Sequence, residues 1–197
     1  SMRPAFHMEG TGPHWTQRVD GSRVTQWSYP GGSFLYFLPQ YLVFGTWPVG
    51  IRTTSIVVVG VIAAVLTWML PAQYAFLGPA ALIAPRQHWL TAAGGLNDML
   101  WMLPTVVALW LWAHAERGWA AIALGCACGV KQTPWVILPF LAVWVWETAP
   151  DWRAFVVEVA RLNVAGLLGF FVLAGNAVFL WWSPVAFLES VLTPLGG

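Results

Sequence analysis

The chain is 197 residues long, 58% hydrophobic and only 9% charged, where an ordinary soluble domain is roughly one-quarter charged. Its net charge of +1 offers little attraction for a polyanion, so no nucleic-acid partner is expected. The charges are also segregated: none falls from Thr53 to Pro85, from Met99 to Ala115, or from Leu162 to Leu188. Uncharged runs of that length are candidate membrane spans, and the fifteen tryptophans suit aromatic belts at the two headgroup levels.

Residues 1–32 form a polar loop rich in Gly, Pro, Arg and His, without the apolar core of a signal peptide. A first hydrophobic segment covers Ser33 to Phe44, interrupted by Pro39 and closed by Gly45 and Pro48. Ile51 to Leu70 is a span of about twenty residues, rich in Val and Ile and ended by Pro71. Ala72 to Ala84 is apolar but too short to cross, and reads as a short helix lying at, or dipping into, one face. Met99 to His114 is the next span, followed by a compact turn, Glu116-Arg117-Gly118, with the glycine as the stop. Trp119 to Val130 and Pro134 to Trp146 are short spans flanking Lys131, the one lysine of the chain. Asp151 to Arg161 is amphipathic, Leu162 to Trp182 is the last span, and an interfacial tail begins at Ser183.

The expected fold is all-α, a polytopic transmembrane helix bundle with short outer-face helices and re-entrant-like segments. Residues 33–182 form its membrane domain, with about six spans and a short outer-face helix near 72–84. The polar start, and a tail (183–197) that reads as truncated, suggest an internal piece of a longer protein. If Ala72 to Asp98 returns to the side it left, Arg52, Arg117, Arg153 and Arg161 share one face, cytoplasmic by the positive-inside rule. The N-terminal loop, Arg86, His88, Asn97, Asp98, Lys131, Gln132 and the tail then share the outer face.

A charge at bilayer depth costs about 2.5 kcal/mol or more, so Lys131 either snorkels out or lines a polar site. It follows a helix C-terminus, where a cation is favoured, and Thr133-Pro134 supplies a cap and first residue for the next helix. The same lysine can bind phosphate as a point charge, with Gln132 and Thr133 as further donors and Arg86 and His88 beside Trp89 nearby. Asp98, after Gly94-Gly95-Leu96-Asn97, is an N-cap by position, and its carboxylate can also orient a sugar hydroxyl or a divalent metal. Tyr29 precedes a Pro-Gly turn at the interface. Asn176 reads as a bond between helices. Tryptophans 144, 146, 181 and 182 read as belt residues, and Cys126 and Cys128 as small packing residues whose spacing opposes a disulfide. No nucleophile triad, Walker loop, dinucleotide fingerprint, zinc signature or haem motif is present.

The order of motifs resembles a known family. Trp-Ser-Tyr-Pro-Gly-Gly (27–32) is followed by His-Trp with Gly-Gly-Leu-Asn-Asp (94–98), Gly-Val-Lys-Gln-Thr-Pro (129–134), and Gly-Asn-Ala-Val-Phe with Trp-Ser-Pro (175–184). The chain from about residue 12 onward is similar to membrane glycosyltransferases of the GT-C fold, the polyprenyl-phosphate-dependent mannosyl- and arabinosyltransferases of bacteria. The resemblance implies transfer of a sugar from a polyprenyl-phosphate donor to a lipid, glycan or protein acceptor, on the extracytoplasmic face of a bacterial cytoplasmic membrane. It implies donor-phosphate contacts from Lys131, Arg86 and Gln132, and a sugar or acceptor site with Asp98, Asn97, His88 and Tyr29. No cofactor is called for other than a divalent metal ion as an option. The family's catalytic carboxylate on its first outer loop has no counterpart: Glu9 and Asp20 lie in the loop but away from the expected position, which leaves Asp98 as the candidate. A small-solute or lipid transporter, or a non-catalytic scaffold, are the other classes compatible with the pattern.

Overall fold

The computed structural model describes residues 32–35, 38–45, 48–84 and 100–192, and every regular element among them is helical. Numbered in chain order, the α-helices are α1 (Gly32–Leu35), α2 (Leu38–Phe44), α3 (Pro48–Met69), α4 (Leu77–Ile83), α5 (Met102–Ala113), α6 (Arg117–Val130), α7 (Ile137–Thr148), α8 (Trp152–Leu167), α9 (Asn176–Trp182) and α10 (Pro184–Leu192). The all-α expectation holds. Trp152–Leu173 is the one helix among the described residues both long and apolar enough to cross a membrane, while Thr53–Met69, Met102–Ala113 and Arg117–Val130 are shorter apolar helices.

Local chemistry explains most boundaries. Proline is favoured in the first turn, where its missing N–H would be unpaired anyway, and α3 begins on Pro48, three residues before the expected start. Pro71 stops it, and after a 3-10 turn at Ala72–Tyr74 the chain folds back as α4. The fold-back needs Gly78, because a Cβ there would stand 2.6 Å from Leu66 Cβ. The short segment near 72–84 is therefore a half-hairpin against α3.

The turn between α5 and α6 departs from expectation. Its stop is Ala115, at φ 63°, while Gly118 lies inside α6. The Ala115 N–H donates to Trp112 O (3.1 Å) and the Glu116 N–H to Leu111 O (2.9 Å), which satisfies two end carbonyls of α5 with an alanine where glycine is usual.

The centre of the molecule is α6. Ala120, Ala121, Leu124, Gly125, Ala127, Cys128, Gly129 and Val130 on it are all buried. It packs on α5, α8 and α1. Small side chains permit this because backbones can then approach directly. A Cβ on Gly125 would collide with Gly166 O, and one on Gly169 with Ile122 O. As the α6 numbers rise from 121 to 129, their partners rise from 166 to 174. Thus α6 and α8 run in the same direction, and α7 returns between them. Cys126 and Cys128 are both unbridged, and Cys126 Sγ donates to Gly169 O at 3.5 Å.

The last span is also redrawn. The helix that opens at Trp152 continues through a π-helical turn at Leu168–Leu173 and breaks at Gly175, φ 71°. It therefore does not run from Leu162 to Trp182. Asp151 sets its start by accepting a bond from the Ala154 N–H at 2.8 Å. After the break, α10 folds back, and Phe187 lies 6.4 Å from Phe170 between ring centroids.

Two contacts fix the relation of α3 to α5: Met102 packs on Val59, and Trp110 lies 5.2 Å from Trp68. Both pairs advance together, so α3 and α5 are parallel. Residue 52, two turns before Val59, is thus at the opposite end from Arg117. This corrects the grouping of Arg52 with Arg117, Arg153 and Arg161, which required antiparallel helices and a return of the intervening chain to its starting side. Arg117 and Arg161 do share one end, both within contact of Glu158.

Candidate functional site

The end of the bundle carrying Lys131 is organised by Asn176. The π turn and the left-handed Gly175 set this residue at the first position of α9, fully buried, with its amide turned into the bundle. Its Nδ2 donates to Gly129 O and Phe170 O, both at 2.9 Å. Its Oδ1 accepts from the Gly32 N–H at 3.2 Å. Gly129 O belongs to the last turn of α6 and has no partner within that helix. One side chain therefore joins α1, α6, the π turn and α9, in agreement with the interhelical role expected of it. Gly32 has to be a glycine here, since a Cβ would fall 2.5 Å from Gly129 O.

Lys131 lies two residues beyond Gly129. It is half-buried and extended (φ −151°, ψ 153°), and its N–H closes α6 on Ala127 O at 3.1 Å. Gln132 follows, its Nε2 donating to Val191 O at 3.4 Å, so the amide expected to meet phosphate helps to hold α10 in place. Thr133 is exposed, and the 3-10 turn Thr133–Val136 has no side-chain cap; buried Pro134 and the Gln132 backbone shape it instead. The hairpin of α5 and α6 brings Leu100, buried, to this same end. Tyr29, Arg86, His88, Asn97 and Asp98 lie outside the described residues, as do Glu9 and Asp20. Of the expected site residues, Lys131 and Gln132 are adjacent at one mouth of the bundle. Among the described residues no three His, Cys, Asp or Glu side chains gather to hold a metal.

Two features escaped sequence reasoning. The first is an apolar cleft of about 600 Å³ between α6, α7 and α8, lined by Leu124, Cys128, Trp135, Leu141, Gly166 and Phe170 among others. Its upper wall is Trp135, whose Nε1 donates to Cys128 O at 3.2 Å, one turn below Lys131. The glycine pair 125/129 was the available signal, because that spacing marks a close helix crossing.

The second is at the opposite end. Glu158 lies 3.6 Å from Arg117 and 3.3 Å from Arg161, and the Arg117 guanidinium sits 4.6 Å above the Trp144 ring. Trp112 meets Trp144 at 5.3 Å, and Trp146 meets Trp152 at 5.8 Å. With Glu158 and Arg161 just before the uncharged run that starts at Leu162, their i,i+3 pair was legible in the sequence, while the approach of Arg117 was not. No protein-family model, curated protein or solved structure matches the chain.

Proposed function

We propose that the chain is a multi-pass membrane protein acting as a polyprenyl-phosphate-sugar-dependent glycosyltransferase, or as part of one, with its site at the Lys131 end. The membrane part rests on what the helices show to their surroundings. Only 6% of the apolar window in Trp152–Leu173 is buried, and α7 and α8 present Phe140, Val157 and Val164 outward. Hydrocarbon tolerates such a surface; water does not. At 1.5 Å per residue, the 22 residues of Trp152–Leu173 extend roughly 33 Å, enough for the roughly 30 Å hydrocarbon core.

The observation that carries the enzyme reading is convergence. Gly32, Gly129 and Asn176 come from three of the four motifs in the family resemblance, and they share one hydrogen-bonded node beside Lys131. In this reading Lys131 holds the donor phosphate as a point charge, and Arg86 adds a second cation. Asp98 supplies the carboxylate that orients, or deprotonates, an acceptor hydroxyl as the phosphate departs. The apolar cleft gives the isoprenoid tail a path alongside α6. Among the described residues Arg117, Arg153 and Arg161 stand at one end and Arg52 and Lys131 at the other, a small excess that favours the extracytoplasmic side for the Lys131 end. A transporter gains less support: an asparagine at a helix break suits a substrate path, but Asn176 spends its amide on backbone groups.

The test is binding of decaprenyl phosphate by the chain in nanodiscs. Lys131→Met should weaken it about ten-fold or more, the worth of one charged hydrogen bond, while Lys131→Arg retains much of it. Unchanged affinity in the methionine variant, with normal membrane insertion, refutes the phosphate role. Asp98→Asn should abolish sugar transfer without loss of binding; equal activity removes that carboxylate from the chemistry.

A further inference from the structure

We infer that the cavity between the α5–α6 turn, the end of α7 and the start of α8 binds a phosphate anion in the headgroup layer, presented by a glycerophospholipid. The cavity measures about 490 Å³ and its charged lining is Arg117, Glu158 and Arg161. Two cations and one anion leave it one positive charge in excess. It depends on the chain lying in a membrane, but not on sugar transfer.

Glu158 draws the two arginines together without neutralising both. Its Oε1 is 3.6 Å from an Arg117 terminal nitrogen, and its two oxygens each take one contact from Arg161 at 3.3 Å. Each guanidinium has five N–H donors in a fixed fork, so one carboxylate leaves donors over on both. The Arg117 guanidinium carbon lies 4.6 Å from the Trp144 ring centroid, a contact that restricts the side chain, and Arg117 lines the cavity. That preorganisation suits a tetrahedral oxyanion better than a lone surface lysine does. The other acids at this end do not line the cavity: Glu116 and Glu147 are exposed, and Asp151 is taken by the Ala154 N–H.

Depth points to the lipid. Trp112, Trp144, Trp146 and Trp152 cluster around this end, and tryptophan concentrates at headgroup level. Basic pockets between membrane helices at that level hold anionic headgroups.

The experiment is native mass spectrometry of the chain released from phosphatidylcholine nanodiscs doped with phosphatidylglycerol. Phosphatidylglycerol should be retained in preference to phosphatidylcholine. Arg117→Gln and Arg161→Gln should each lower its retention about five-fold. Arg161 is mostly exposed, so its variant keeps the test valid if Arg117→Gln fails to fold. Arg153→Gln removes the same charge about two turns from Arg161 on the same helix, outside the cavity, and should change little. Equal retention of the two lipids, or an equal loss with Arg153→Gln, overturns the site. Millimolar inorganic phosphate separates the sources: a retained lipid identifies the anchored headgroup, and its displacement with the same arginine dependence identifies soluble phosphate.

Discussion

Asn176→Ala is the sharpest test of how the Lys131 end is built. The substitution leaves Gly129 O, Phe170 O and the Gly32 N–H without their partner at once. In the membrane setting proposed above, hydrogen bonds between helices average about 0.6 kcal/mol, with a maximum near 1.7, so three such bonds give about 2 kcal/mol and at most ~5. Phe170 O is only part-buried and can find another donor, while Gly129 O and the Gly32 N–H are buried and cannot. The expected loss is therefore about 2–3 kcal/mol. Graded SDS unfolding in mixed micelles, followed by circular dichroism, measures it. Asn176→Asp keeps the shape but exchanges both donors for acceptors facing two carbonyls, and should be no better than alanine. A loss below about 0.5 kcal/mol for Asn176→Ala would show that the node does not hold the helices, and with it the convergence argument would fail.

The glycine seam gives a second test: Gly169→Ala drives a methyl into Ile122 O and should cost about 2 kcal/mol or more, while Gly60→Ala, with open space around it, should be neutral or slightly stabilising in the same SDS titration. Ala115→Gly relieves a left-handed alanine and should stabilise by about 1 kcal/mol; a loss of stability would mean the turn geometry is set otherwise. Asp151→Ala removes the N-cap of α8 and should cost about 1 kcal/mol, read as a lower Tm in detergent, with Asp151→Asn close to wild type.

Most helices were legible because apolar runs, prolines and the capping Asp151 act locally. Pro71 and Gly45 stop helices where their backbone chemistry says they should. What eluded the sequence was set by packing. A left-handed alanine at 115 has no sequence signal when Gly118 stands nearby. The π turn at Leu168–Leu173 lets the helix run past the amphipathic stretch and break at Gly175, and hydropathy cannot see it. The direction of α3 relative to α5 follows from which side chains meet, Val59 with Met102 and Trp68 with Trp110, and charge counting cannot supply that. Of the site, Lys131 and Asn176 stood out as polar groups in apolar sequence, whereas the Arg117–Glu158–Arg161 cavity needed three elements brought together.

The backbone contact between α6 and α8 also decides which part can move. Where glycine meets carbonyl directly, no rotamers remain to absorb a displacement, so the two helices behave as one stiff plank. Any breathing of the cleft would then fall to α7, which is joined to its neighbours by the Gln132–Pro134 corner at one end and Ala149–Pro150 at the other. Trp135, latched onto Cys128 O, is the bolt on that door.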